Sequence, residues 1–271
     1  MSPRALSPAY SMQDTPDVKN SMMAPLVLTR GEKLFKIAKV GSCITGSVLF
    51  MIGSVMFYPK YYVLWDNKGG LIASWTFLIG CVFFLLATNG HFIDTIRYNS
   101  GSSVRRILNA YNAMMYVTAA AVFQLGAIYF LPDYYALAPS LGCWAFIIGC
   151  VQFCIAAIVD IIFIGITHAD PKRKGFSTAN LHCWGTVAAI GTFLGGIFFV
   201  LGSYYYLPKF VAVEDAALAT SNSNKAVNYF VIGCVFFIIN GLAQIPDVLV
   251  QFRASNEAAF SHKSKANADL V

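Results

Sequence analysis

The chain has 271 residues, of which 57% are apolar and 12% charged, with mean hydropathy +0.61 and a formal net charge of +6. Soluble globular domains carry about 25% charged residues, so this composition excludes an ordinary soluble fold and points to the bilayer. The seven cysteines (43, 81, 143, 150, 154, 183 and 234) fall in or beside apolar segments, which excludes a secreted disulfide scaffold.

Residues 1–35 come first. They are rich in Ser, Pro and Met and lack an apolar core, so they read as a disordered cytoplasmic tail rather than a secretory signal. Ser2-Pro3, Ser7-Pro8 and Thr15-Pro16 in this tail are candidate phosphorylation dipeptides. Six long uncharged stretches follow, at 40–58, 71–90, 108–131, 141–159, 183–207 and 226–246. Each is close to the ~20 residues that cross a hydrocarbon core, and backbone groups in lipid must be satisfied within a helix or a closed barrel. The reading is an all-α integral membrane protein with six transmembrane helices.

Odd and even spans carry different signatures. Spans one, three and five end alike, in 53-GSVMFYPKYY-62, 126-GAIYFLPDYY-135 and 202-GSYYYLPKFV-211. Proline stops each helix because it lacks the amide hydrogen and clashes with the preceding turn. The tyrosines suit a headgroup boundary, where a ring is buried and its hydroxyl stays wet. Membrane anchoring is the simpler reading of these endings and an aromatic ligand cage the other. Spans two, four and six share 77-FLIGC-81, 146-FIIGC-150 and 230-FVIGC-234. Two motifs alternating three times predict three tandem hairpin repeats, at 36–97, 106–167 and 181–250, with a cytoplasmic tail at 251–271. Gly53, Gly126, Gly202, Gly80, Gly149 and Gly233 are the packing positions, as is the G-x-x-x-G of Gly191 and Gly195. Small residues let transmembrane helices approach closely.

Orientation comes from Lys and Arg. Six precede residue 40, and Arg97, Arg105, Arg106, Lys172, Arg173, Lys174, Arg253, Lys263 and Lys265 join them on one side, against Lys60, Lys68, Lys209 and Lys225 on the other. The positive-inside rule then makes both termini cytoplasmic, in a plasma membrane or endomembrane. The positive charge is read as topology and not as nucleic-acid binding.

Polar residues inside spans are the candidate chemistry. Asp160 is separated by roughly two helical turns from the end of its span. Eleven residues after Gly80, Gly149 and Gly233 stand His91, Asp160 and Gln244, one polar position repeated three times. If the hairpins share an axis, these three form one layer, which would relay protons, bind a cation or simply clasp the hairpins. Asp94 and Asp247 lie at the membrane boundary, near Arg97 and Arg253 in sequence, and read as solvated or salt-bridged. Gln124, Gln152 and Asn240 fit interhelical hydrogen bonds, and Pro246 is expected to kink or end span six. His91, His168, His182 and His262 lack metal-ligand spacing, and no nucleotide, hydrolase or metalloprotease motif occurs. No metal, cofactor or enzymatic activity is expected. The terminal Asp269-Leu270-Val271 has the form of a ligand for a carboxylate-capturing domain.

Gly53-Ser54 followed by 75-WTFLIGC-81, Gly126 followed by 144-WAFIIGC-150, and Gly202-Ser203 followed by 229-YFVIGC-234 resemble the YrhK-like domain, a small two-helix membrane module. The third copy lacks the Trp, and all three carry Cys after the second Gly. The resemblance implies a fold and transfers no activity. Six spans in three hairpins are also the plan of mitochondrial carriers, but the charged pair those carry after the odd-helix proline is missing here. Two functional readings follow. One is a structural, scaffolding or accessory protein packed against lipid, further membrane subunits or a second copy. The alternative is a small-solute or ion transporter, proton-coupled, using the His91/Asp160/Gln244 layer.

Overall fold

A computed structural model describes residues 27–98, 102–167 and 175–268. The dipeptides of the N-terminal tail, His168, Lys172, Arg173, Lys174 and residues 269–271 lie outside the described residues. Six long helices dominate: α1 (Arg30–Met56), α2 (Gly69–Tyr98), α3 (Ser103–Tyr129), α4 (Leu141–Ile166), α5 (Trp184–Tyr205) and α6 (Ala216–Ala268). All six are long and apolar enough to cross a membrane, and among the described residues there is no strand. The chain is an integral membrane protein.

Local chemistry sets the helix ends. Thr29 and Glu32 form a capping box at α1, Thr29 Oγ1 accepting the Glu32 N–H (3.2 Å) and Glu32 Oε2 accepting the Thr29 N–H (2.8 Å). Ser102 caps α3 through the Arg105 N–H, and Asp215 Oδ1 accepts the N–H groups of Ala217 and Leu218 at the start of α6. The odd helices stop at Met56, Tyr129 and Tyr205. The residue before each proline is then extended, with ψ of 136° at Tyr58, 139° at Leu131 and 143° at Leu207. Each proline opens a short helix of its own, Pro59–Tyr62, Pro132–Leu137 and Pro208–Val211, a position that needs no amide hydrogen. Between the first of these and α2 the chain turns through three left-handed residues, Trp65, Asp66 and Asn67. That turn presses Tyr61 against Gly69, where an added Cβ would stand 2.0 Å from the Tyr61 carbonyl oxygen.

Helix pairs approach closely at small residues. A Cβ built on Gly46 of α1 would lie 2.9 Å from the Gly80 oxygen of α2, and one on Gly53 would lie 3.1 Å from the Ala73 oxygen. The same contacts recur between α3 and α4, where Gly149 meets the Ala119 oxygen at 2.9 Å and Gly126 meets the Gly142 oxygen at 3.1 Å. They recur again between α5 and α6, where Gly233 meets the Gly195 oxygen at 3.1 Å and Gly202 the Ala226 oxygen at 3.0 Å. Gly196 turns to the neighbouring α4, against Cys154 and Cys150. Helices α2 and α3 also pack together, as do α4 and α5, and α6 returns to α1. The six helices therefore close into a ring.

Aromatic rings fill its axis in three triangles. At the end carrying the proline-led short helices, Phe57, Phe130 and Tyr206 stand 5.9, 5.6 and 6.0 Å apart. Below them Phe50, Phe123 and Phe199 meet at 5.4, 5.4 and 6.2 Å. Deeper still are Phe84, Phe153 and Phe237, at 6.0, 6.4 and 5.3 Å. Phe50 and Phe199 are fully buried. Ring pairs at these separations add about 0.5–1.5 kcal/mol each beyond area burial.

Helix α6 does not end at Pro246, one of the two outcomes expected there, but runs 53 residues to Ala268. A transmembrane helix tolerates proline where neighbours re-satisfy the freed carbonyl. The extension is also fastened: Ser255 Oγ accepts the Leu28 N–H at 2.9 Å, and Lys33 Nζ donates to Asn256 Oδ1 at 2.7 Å. Ser255 and Ala258 are buried.

Replacing Gly149 by Val overpacks the α3–α4 crossing and should lower unfolding stability in detergent by about 1–3 kcal/mol. Gly41→Ala, at a position with nothing within 4 Å, should leave the melting temperature unchanged or raise it. Equal behaviour of the two variants would contradict the close crossing.

Candidate functional site

A polar layer lies just past the deepest aromatic triangle. Seven residues beyond Phe84, Phe153 and Phe237 on the even helices stand His91, Asp160 and Gln244. Seven before Phe50, Phe123 and Phe199 on the odd helices stand Cys43, Tyr116 and Thr192. Seven residues are close to two helical turns, so these side chains keep the axial face of their helices.

Asp160 is held from the partner helix α3. Tyr116 Oη donates to Asp160 Oδ2 at 2.7 Å, and Asn112 Nδ2 donates to Oδ1 at 2.7 Å and to the Ala156 carbonyl oxygen at 3.2 Å. Both carboxylate oxygens thus receive short bonds in a low-dielectric setting, where such bonds are strong. The Oδ1 of Asn112 is itself buried without a hydrogen-bond partner. The His91 ring meets Tyr116 edge-on, 5.7 Å between centroids at 87°. His91 and Asp160 therefore flank one tyrosine.

Gln244 belongs to a separate cluster. Its Nε2 donates to Asn240 Oδ1 at 3.1 Å and faces the Cys43 sulfur at 3.7 Å, and Asn240 Nδ2 faces the same sulfur at 3.8 Å. The structure thus groups His91 and Asp160 around Tyr116, and Gln244 with α1.

Nearer the end of the bundle, Asp94 is nearly buried and paired with α1. Lys36 Nζ is 3.5 Å from its Oδ1, and Lys39 Nζ bonds its Oδ2. Arg97, its neighbour in sequence, lies over the Phe35 ring instead, 5.7 Å from the centroid. Lys36 also sits 4.8 Å over Tyr98, whose hydroxyl donates to Glu32. Asp247 is exposed on α6. Of the remaining expected positions, Gly53, Gly80, Gly126, Gly149, Gly202 and Gly233 all lie at the helix crossings described above. Gln124 and Gln152 each keep a buried side-chain oxygen without a partner.

Asn112, Tyr116, Cys43 and the Lys36/Lys39 pair had no place among the sequence candidates. The seven-residue offset from Phe123 marks Tyr116, and the three-residue spacing of Lys36 and Lys39 marks one helical face. Among the described residues no three His, Cys, Asp or Glu side chains gather as a metal set, and the described cysteines are all free thiols. The hydrogen bonds of the layer run from α3 to α4, and the amides of Asn240 and Gln244 on α6 face the Cys43 sulfur of α1.

Tyr116→Phe and Asn112→Ala should each destabilise the protein by about 1–3 kcal/mol, because each removes a donor from a buried carboxylate. In Asp160→Leu both effects should shrink, giving a coupling energy above about 0.5 kcal/mol in a double-mutant cycle read from detergent unfolding. Strict additivity would remove the clasp.

Residues 33–96 and 106–164 each match the family model of YrhK-like proteins. The two segments cover most of α1–α2 and of α3–α4 respectively. No curated protein and no solved structure matches the chain.

Proposed function

We propose that the protein is a non-enzymatic structural or accessory membrane protein, built from three tandem YrhK-like hairpins closed around a dry axis. The observation that carries this reading is the stack of three aromatic triangles, which fills the line along which a solute would have to pass. Residues 181–250 form the third hairpin in this account. Their support is the pair of crossings at Gly195/Gly233 and Gly202/Ala226, which match those of the two segments recognised by the family model. The distribution of Lys and Arg supports cytoplasmic termini. Lipid-facing Ile, Val and Leu cover the outside of all six helices, a surface suited to lipid or to another membrane subunit.

A second reading rests on Asp160. A carboxylate this deep costs several kcal/mol to insert, and a path reaching it from the cytoplasmic side would make the layer an ion or proton site.

The native thiols separate the two. Cys43, Cys81, Cys143, Cys150 and Cys234 are all buried, Cys43 within the polar layer and the others among the aromatics. A charged thiol reagent applied to both faces of native membranes should leave these five unmodified until denaturant is added. Rapid native-state modification of Cys43 would mean that water enters the layer, and the transport reading would replace the structural one.

A further inference from the structure

Asp94 and Asp160 are both drawn into the bundle, and only the first has a positive partner. Asp94 takes Lys36 and Lys39 from α1. Among the described residues no Lys, Arg or His lies within ion-pair distance of Asp160, whose oxygens meet the neutral Tyr116 and Asn112. A lone carboxylate within a span is costly until a proton or a cation neutralises it.

The repeat indicates where a cation belongs. Lys39 stands 14 residues before Gly53, and Asn112 stands 14 residues before Gly126. This one repeat position bonds an acid of the partner even helix in both hairpins. In the first hairpin it supplies an ammonium, and in the second an amide. In the third it is Ala188, and α6 brings no acid inward there, Gln244 being neutral and Asp247 exposed.

The amide is also incompletely used. Asn112 is 3% exposed, and its Oδ1 has no hydrogen-bond partner, while its Nδ2 lies 2.7 Å from Asp160 Oδ1 and 3.2 Å from the Ala156 carbonyl oxygen. The last side-chain torsion of Asn is roughly two-fold, so a half turn exchanges these two amide atoms. The orphaned oxygen then joins the Asp160 and Ala156 oxygens at one point, and Tyr116 keeps its bond to Asp160 Oδ2. Close-set oxygen donors of this kind, carboxylate, amide and backbone carbonyl, suit hard cations.

We propose that Asp160 Oδ1, Asn112 Oδ1 and the Ala156 carbonyl oxygen bind an alkali cation between α3 and α4. One carboxylate balances one positive charge, so a monovalent ion leaves the site neutral, whereas a divalent ion would leave a net charge in a low-dielectric interior. The site does not rest on the transport reading. An ion bound here while Cys43 stays protected from aqueous reagents is a structural clasp, and failure of the site leaves the aromatic axis unchanged.

The test uses the full chain, purified in detergent in choline chloride and titrated with NaCl or KCl at constant ionic strength, with thermal unfolding followed by tryptophan fluorescence. One of the two alkali salts should raise the midpoint saturably, by about 5–10 °C at a hundredfold excess over the dissociation constant. Asp160→Asn, neutral and of the same shape, should keep the choline midpoint at or above that of the unsubstituted protein and lose the alkali response. Asn112→Lys places an ammonium at the position that Lys39 fills in the first hairpin, and should likewise abolish the response. Infrared difference spectra between the choline and alkali forms should show a shifted carboxylate band that Asp160→Asn lacks. No alkali-specific rise over choline, or an equal rise in Asp160→Asn, would overturn the proposal.

Discussion

Lipid offers helices no advantage in hiding apolar surface from one another, so the bundle rests on how closely backbones approach. The approach is made at Gly46 and Gly80, at Ala119 and Gly149, and at Gly195 and Gly233, with a second set of contacts two turns away at Gly53, Gly126 and Gly202. At these points a side chain no larger than a methyl separates the chains, and dispersion contacts accumulate along both backbones. The phenylalanines depend on the same geometry. Phe50 lies across Gly80, Phe146 across Gly126 and Phe199 across Gly233, and each is thereby directed to the axis where the rings meet.

Closure follows from having three such pairs. The contacts between pairs add small thiols and hydroxyls to the glycine contacts of Gly196 with α4 and Gly241 with α1. Ser54 of α1 meets Cys234 of α6 at 3.5 Å, Cys154 of α4 donates to the Phe193 carbonyl oxygen of α5 at 3.5 Å, and Ser74 of α2 donates to the Phe130 carbonyl oxygen at 2.9 Å. These are modest bonds, worth about 0.5–1.5 kcal/mol each. The aromatic axis supplies the larger share of cohesion between pairs, since every triangle takes one ring from each of the three.

Much of the architecture was legible in the residues because membrane rules act locally. Span length, proline endings and the repeated glycines read directly into six helices and the points where they cross. The polar layer was legible only in part. Periodicity places His91, Asp160 and Gln244 at one depth, but the neighbour each meets depends on helix rotation and on the partner's side chains. Tyr116 therefore joins His91 to Asp160, while Gln244 meets Cys43. Asp94 was matched to Arg97 by proximity in sequence, whereas the fold brings Lys36 and Lys39 to it across the α1–α2 crossing. The continuation of α6 past Pro246 was hidden for a related reason. Its support is Ser255 bonding to Leu28, 227 residues away in sequence, a contact that no local pattern encodes.

Closure of the ring at α1 and α6 is the central claim, and one substitution reports on it. In Ser54→Cys the new thiol faces Cys234 across that seam, at a separation small enough for a disulfide after slight side-chain rotation. Mild oxidation in native membranes should link residues 54 and 234 within one chain, detected by mass spectrometry of the crosslinked peptides. Absence of that intramolecular bond, or its replacement by a disulfide between two chains, would show the bundle open between its first and last helices and would contradict the account.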